Sequence, residues 1–351
     1  MKILHTADIH IQKYNDERWK ALDYLIKLAR TKKVNVVVIS GDLFNSDTDA
    51  NKLRTKIRDL FSKAECQVLI IPGNHDAKSY PEGIFFGDQV TIVRDFQTPV
   101  KIDDAVFWGF PYEDLKDEEI LRRLHEASNL AVEDASHILL IHGELLDTVG
   151  FWENYGEEGH RRYFPIKLDY FHSLNWDYVL AGHFHTNFDV HQFSPKKYFV
   201  YPGSPVSVTK REIAPRKVNL FEVGKAPKAH VLETAYYEPL EINLDPFIKI
   251  DPVSLIQDTI HQLPRHARLL LSVNGYFDSR KLGKTEEELS KSIKTAASKR
   301  CDFLELGFRD IHNILEDDLF IMFEKKLRKL ELDPAVKDEV RYFTIKAMME
   351  L

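Results

Sequence analysis

Asp8, His10, Asp42, Asn74, His142, His183 and His185 supply carboxylate oxygen, amide oxygen and imidazole nitrogen from stretches far apart in the chain. Two divalent transition ions would suit such a set, because imidazole favours zinc, iron or manganese while carboxylates also accept harder ions. No thiolate takes part, which argues against a structural zinc site. Ions held about 3.5–4 Å apart can activate a bridging hydroxide and neutralise the non-bridging oxygens of a phosphate, so the set points to phosphoester hydrolysis. His75, within Gly73-Asn74-His75-Asp76, offers a proton near neutral pH, and Asp76 is placed to orient that imidazole or raise its pKa. The same tetrapeptide also reads as a turn, which Gly and Asn suit and which Asp can close as a helix cap.

These residues need strands to mount them. Ile3-Leu4-His5-Thr6-Ala7 reads as an opening strand delivering Asp8 and His10, whose i, i+2 spacing puts both on one side of an extended segment. A helix over 17–30 follows, with Leu22, Leu25, Ile26 and Ala29 at helical spacing. The β-branched run 34–39 then ends in Ser40-Gly41-Asp42. After a second helix carrying Leu53, Ile57, Leu60 and Phe61, the run Val68-Leu69-Ile70-Ile71-Pro72 leads into the tetrapeptide. Strands are expected at 106–109, at 138–141 before His142-Gly143-Glu144, and at 178–181 before Gly182-His183-Phe184-His185, with a helix over 113–132. Open α/β sheets bind ligands beyond the carboxyl ends of their strands, so residues scattered in sequence converge there. Tyr198-Phe199-Val200-Tyr201, followed by Pro202-Gly203-Ser204-Pro205, and the stretch 218–223 are expected to complete a second sheet.

The pattern changes near Tyr237, dividing the chain into 1–236 and 237–351. In the second part, strands at 240–244, 269–273 and 303–306 alternate with helices from Asp251-Pro252 to about Leu263 and from the Thr285/Glu288 capping box to about residue 299. This β-α-β-α-β order predicts a small α+β domain, followed by amphipathic helices over 315–330 and 335–351.

A length of 351 residues exceeds what one core usually serves. The balance of 48 Lys+Arg against 55 Asp+Glu, net −7, argues against a protein that coats nucleic acid through overall charge, though a local basic groove is compatible with it. His160-Arg161-Arg162-Tyr163, Lys196-Lys197, Lys210-Arg211 and Arg216-Lys217 are candidates for such a groove, and equally for ordinary solvated surface. Cys66 and Cys301 form no Cys-x-x-Cys spacing, so no disulfide framework or zinc finger is indicated. No apolar run reaches signal-peptide or transmembrane length; the expectation is a cytoplasmic protein without a membrane partner. The remaining histidines, among them His5, His137 and His191, read as structural.

Asp8-x-His10, Gly41-Asp42, Gly73-Asn74-His75-Asp76, His142-Gly143 and Gly182-His183-Phe184-His185 resemble the ordered motifs of the calcineurin-like metallophosphoesterases. The resemblance implies a two-sheet α-β-β-α sandwich over 1–236, with 237–351 as a smaller capping domain. It implies that Asp8, His10, Asp42 and His185 hold a first ion, and that Asp42 as bridge, Asn74, His142 and His183 hold a second. His75 would contact the phosphate and protonate the leaving oxygen. Lys2-Ile3-Leu4-His5-Thr6-Ala7-Asp8, Gly41-Asp42-Leu43-Phe44, 175–185 and Tyr201-Pro202-Gly203-Ser204-Pro205 further resemble the SbcD/Mre-type DNA double-strand-break repair nuclease subunits. That likeness implies a manganese-dependent exo- or endonuclease, a homodimer, and an SbcC-type SMC-like ATPase partner; the helices 315–330 and 335–351 would either pack as core or dock that ATPase. Those nucleases usually carry a histidine where this chain has Asn45, which can hydrogen-bond a phosphate but cannot donate a proton as imidazolium does. Asn45, Arg161 and Arg162 are the substrate-binding candidates. A serine/threonine phosphatase would carry an Arg soon after its Gly-Asp motif, and Asn45-Ser46-Asp47 offers none. A small-molecule or cyclic-nucleotide phosphodiesterase is the alternative reading.

Overall fold

A computed structural model describes residues 1–131, 134–148, 164–247 and 251–349. Contacts divide the chain into two compact units, Met1–Tyr236 and Tyr237–Leu351. The first runs β1 (Lys2–Thr6), α1 (Glu17–Lys32), β2 (Val36–Ser40), α2 (Asp47–Phe61), β3 (Gln67–Ile71), β4 (Val90–Ile92), β5 (Val100–Ile102), β6 (Ala105–Phe110), α3 (Asp117–Leu130), β7 (Ser136–His142) and β8 (Glu144–Leu145). It continues through β9 (Pro165–Ile166), β10 (Tyr178–Gly182), β11 (Asp189–Ser194), β12 (Lys197–Tyr201), β13 (Lys217–Glu222) and β14 (Ala229–Val231).

Two six-stranded sheets result, ordered β14-β13-β1-β2-β3-β4 and β11-β12-β10-β7-β6-β5. The strands that end at the candidate residues are parallel within each sheet, so their carboxyl ends lie along one edge. Side chains alternate between two dry faces, as expected of strands covered on both sides. Leu4, Val37, Ile39 and Val68 pack under α1 and α2 with Leu22, Leu25 and Ile57. Their neighbours Ile3, Val36, Val38 and Leu69 meet Phe107, Ile138, Leu140 and Leu180 of the other sheet. On the far side, Leu139, Ile141 and Val179 pack with Ile120, Leu124 and Ala127 of α3. The layers are therefore α-β-β-α.

One expected late strand lies elsewhere. β12 joins the second sheet beside β10, whereas β13 returns to the first and pairs antiparallel with β1, Asn219 opposite His5. Without β13, the outer row of β1 backbone groups would be an unpaired edge. Val218 also buries itself in the α1/α2 layer, and Phe221 between the sheets.

The second unit holds β15 (Tyr236–Leu244), α4 (Pro252–Gln262), β16 (Ala267–Phe277), α5 (Ser279–Leu282), α6 (Glu286–Ala297), β17 (Cys301–Asp310), α7 (His312–Glu316), α8 (Asp318–Lys329) and α9 (Pro334–Met349). Its sheet is ordered β15-β16-β17, with β16 and β17 parallel. Ile242, Leu269, Leu271 and Val273 pack with Ile256 of α4 and Leu289 and Ile293 of α6. The helix expected over 315–330 is broken: Asp317 adopts extended backbone and caps α8 by accepting from the Leu319 N–H at 2.8 Å. Among the described residues no helix is long and apolar enough to cross a membrane.

Candidate metal centre

The loops after β1, β2, β3, β7 and β10 meet at one edge of the sandwich. Asp8, His10 and Asp42 adopt left-handed backbone with φ of 55°, 51° and 51°, and His183 has φ 119°. Such conformations cost non-glycine residues about 1–3 kcal/mol each, so surrounding bonds must hold them. Those bonds are present. Asp8 N–H donates to Gly41 O at 3.2 Å, and Ile9 and His10 N–H donate to Asp42 O at 2.9 and 3.0 Å. His183 N–H donates to the Asp8 carboxylate at 3.1 and 3.0 Å, and His75 N–H to Asp42 Oδ1 at 2.9 Å. The loops can approach so closely because of two glycines. A Cβ on Gly41 would lie 2.0 Å from His142 Nδ1, and one on Gly182 would lie 1.9 Å from Ser40 O.

Around this backbone frame the ligand atoms converge. His142 Nδ1 lies 2.8 Å from Ser40 O, to which it can donate, turning Nε2 toward Asn74 Oδ1 at 2.8 Å and Asp42 Oδ2 at 3.4 Å. His10 Nε2 stands 3.1 Å from His185 Nε2 and 3.7 Å from Asp42 Oδ2, while His185 Nε2 is 3.9 Å from Asp8 Oδ1. Three overlapping groups, Asp8/His10/His185, His10/Asp42/His75 and Asp8/Asp42/His142, each keep their ligand atoms within 4.8 Å. Asp8, His10, Asp42, His142, His183 and His185 are buried, while Asn74 and His75 are half-buried at the mouth. The His183 imidazole is not part of these three groups; it stands edge-on to His142 with ring centroids 5.5 Å apart, and its backbone N–H holds Asp8.

Electrostatics agree with a cation site. Burial pushes Asp8 up to about 6, against the pull of His185 and His142. Burial also opposes ionisation of Asp42, but His142 and His10 outweigh it and hold that carboxyl well below the usual range. His142, depressed by burial, is pushed up to about 10 by Asp42 and Asp8. Burial holds His10 well below its ordinary value. Among the described residues, the basic groups beside Asp8 and Asp42 are imidazoles, charged only when protonated. Two buried carboxylates converging with nitrogen and amide-oxygen donors, and no thiolate, fit divalent cations.

Both carboxylate oxygens of Asp76 are held by hydrogen-bond donors. Its Oδ1 accepts from Gly73 N–H at 2.8 Å, and its Oδ2 from Phe44 N–H at 3.1 Å and Tyr80 Oη–H at 2.7 Å. The carboxylate thus ties the Asp42 loop to the Asn74 loop. Burial and the nearby Asp42 charge push it up to about 7. Asn45 lies beside the site, and its Oδ1 accepts from Arg18 Nη1 at 3.3 Å; the same nitrogen donates to His10 O at 2.7 Å. Arg161 and Arg162 lie outside the described residues. Arg216, a groove candidate, is buried, and its guanidinium donates to the carbonyls of Ser204 and His185, so it braces the site from inside. Lys196, Lys210 and Arg211 are exposed.

Sequence reading missed Glu212 and Arg18. Glu212 is fully buried, with Oε1 3.4 Å from His185 Nδ1; burial disfavours its charge, but His185 holds its carboxyl below the usual range. It lies in a loop without periodicity. Arg18 looked like one more polar position of an amphipathic helix.

The family model described as Calcineurin-like phosphoesterase matches residues 1–187. The chain is similar to the SbcD subunit of the SbcCD nuclease of Escherichia coli (strain K12), 29% identical over 86 residues. That match spans 22% of this chain and 22% of the relative, so the chain covers about a fifth of the length of the curated relatives it matches. Among solved structures, it is similar to a 5'-nucleotidase precursor from Thermus thermophilus, at 14% identity and TM-score 0.39, covering 66% of this chain and 54% of that one. It is also similar to a dimetal phosphatase from Danio rerio, at 10% identity and TM-score 0.40, covering 62% of this chain and 91% of that one.

Proposed function

The chain belongs to the calcineurin-like phosphoesterase family, and on that premise we propose that it is a two-metal phosphodiesterase acting on DNA ends or hairpins. The observation that carries the hydrolytic reading is the convergence of Asp8, His10, Asp42, His75, His142 and His185 into three overlapping groups that share Asp8, His10 and Asp42. Asp8, His10, Asp42 and His185 would hold one ion; Asp42, Asn74, His142 and His183 would hold the other. When bound, two divalent ions supply Lewis-acid charge for the phosphate oxygens and lower the pKa of the attacking water. Manganese is the ion we assign.

The protein's own groups do the rest. The His75 backbone N–H is fixed to Asp42 Oδ1 at 2.9 Å, which stations the half-buried imidazole at the mouth, with its ring centroid 4.8 Å from that of His10. From there it protonates the leaving oxygen. Asn45, with its carbonyl engaged by Arg18, presents its amide as a phosphate donor. DNA as substrate is favoured by the similarity to the nuclease subunit and by the motifs at 41–44 and 175–185. A diester needs less positive charge than a monoester, in keeping with the absence of an Arg after Gly41-Asp42. A homodimer, an SMC-like ATPase partner, and roles for 1–236 as nuclease and 237–351 as capping domain complete the proposal.

The test offers purified protein with Mn²⁺ linear duplex DNA, single-stranded DNA and a chromogenic diester in parallel. We expect cleavage of DNA as well as the diester. Hydrolysis of the small diester alone would sink the nuclease reading and favour the small-molecule phosphodiesterase.

A further inference from the structure

Resting on the metal-centre reading above, we infer that Glu212 is a positioning residue for His185 and that the segment 202–216, which lies beyond the matched residues 1–187, completes the centre. Glu212 Oε1 stands 3.4 Å from His185 Nδ1, on the opposite side of the ring from the Nε2 that faces His10 and Asp8. A carboxylate at Nδ1 favours the tautomer that carries its proton there, which leaves the Nε2 lone pair for an ion. The separation exceeds the ~2.7–2.9 Å of a tight charge-assisted bond, so the pair has room to close when Nε2 gives up electron density.

A fully buried carboxylate needs donors, and Glu212 is supplied with them. Val208 N–H donates to Oε2 at 2.7 Å, and Thr209 N–H and Oγ1–H both donate to Oε1 at 3.1 Å. The same segment grips both ligand loops by their backbones. Ser204 Oγ–H donates to Asp8 O at 2.8 Å, Ser204 N–H to His185 O at 2.9 Å, and the Arg216 guanidinium to His185 O and to Ser204 O. Asp8 and His185 are thus aligned from outside the strands that deliver them, and Glu212 sets the ring as the backbone bonds set the loop.

The test compares full-length wild type with Glu212→Gln, read in two ways. Calorimetric titration of chelator-treated protein with Mn²⁺ should show affinity for one of two ions falling about 10–100-fold, the range for outer carboxylates on metal-bound histidines, while the other ion binds as before. Nitrogen-15 spectra of the histidines, with Zn²⁺ as the diamagnetic ion, should show His185 protonated at Nδ1 in wild type and mixed in the variant. Equal affinity for both ions with an unchanged tautomer would overturn the inference. So would loss of both ions together with an unchanged tautomer, since that reports a general structural role. If Glu212→Gln fails to fold, Thr209→Val removes one donor to Oε1 and should give a several-fold loss confined to the same ion; no change would overturn the proposal. A wild type that binds fewer than two ions would instead overturn the metal-centre reading.

Discussion

Tyr80→Phe removes one oxygen from the buried knot around Asp76. Tyr80 Oη–H donates to Asp76 Oδ2 at 2.7 Å, and both residues are buried. Losing a hydrogen bond to a charged group costs about 1.5–3 kcal/mol, and to a neutral one about 1 kcal/mol. Which value applies depends on pH, because burial pushes Asp76 up to about 7. A raised carboxyl contributes stability that is present below its unfolded value of 3.8 and lost as pH rises through about 7. At pH 5 Asp76 is mostly protonated, and the substitution should cost about 1 kcal/mol; at pH 8.5 it should cost about 2–3 kcal/mol. Urea unfolding of metal-free protein, followed by tryptophan fluorescence, reads the right unit because all four tryptophans lie before residue 237. Turnover of a chromogenic diester by the folded, manganese-loaded variant should stay within about twofold, because the Tyr80 hydroxyl acts within the buried knot that joins the loops. Unchanged stability at both pH values would refute this reasoning. A fall in turnover of ~100-fold with stability intact would refute it too, and would show that the knot around Asp76 supports proton transfer by His75.

Three further outcomes are expected. Gly182→Ala places a Cβ 1.9 Å from Ser40 O and 2.7 Å from the Ala7 Cβ, so it should cost at least about 1–3 kcal/mol in thermal unfolding and weaken metal uptake. His75→Ala should retain both ions by elemental analysis yet lose roughly 10²–10⁴-fold in turnover, whereas Asp42→Ala should lose metal as well; equal metal loss in both would contradict the assigned roles. For chelator-treated protein, His142 is raised from 6.5 to about 10 despite burial, so its contribution is full below pH 6.5 and lost as pH rises toward 10. Melting temperatures should therefore fall from pH 6.5 to pH 9.5 without metal, and fall less with Mn²⁺.

The core of the fold was legible because β2, β3, β7 and β10 carry continuous apolar runs, and each of these strands and β1 leads within a few residues to one able to bind a metal or a phosphate. Strands buried on both faces leave that signature. The strands β4, β5, β8, β9 and β14 did not, being only two or three residues long, and neither did β11, which is half-exposed with weak alternation. The return of β13 to β1 depended on an edge that exists only once the sheet has formed. The buried hydrogen bonds of Asp76 and Arg216 were not legible for one reason. A polar residue in a loop looks the same in sequence whether it reaches a substrate or satisfies backbone groups inside, and only the hydrogen-bond geometry separates the two. Glu212 was invisible for the complementary reason, since the loop between β12 and β13 has no period to flag an inward position. The break at Asp317 was hidden because the apolar spacing continues across it.

The central claim is that Asp8, His10, Asp42, Asn74, His142, His183 and His185 together bind two ions that enable phosphodiester hydrolysis. Titrating metal-free protein with Mn²⁺ while following diester hydrolysis tests it most directly. Two ions per chain, with hydrolysis rising as the second binds, is the predicted result; hydrolysis that is complete with one ion, or undiminished without any, would contradict the account.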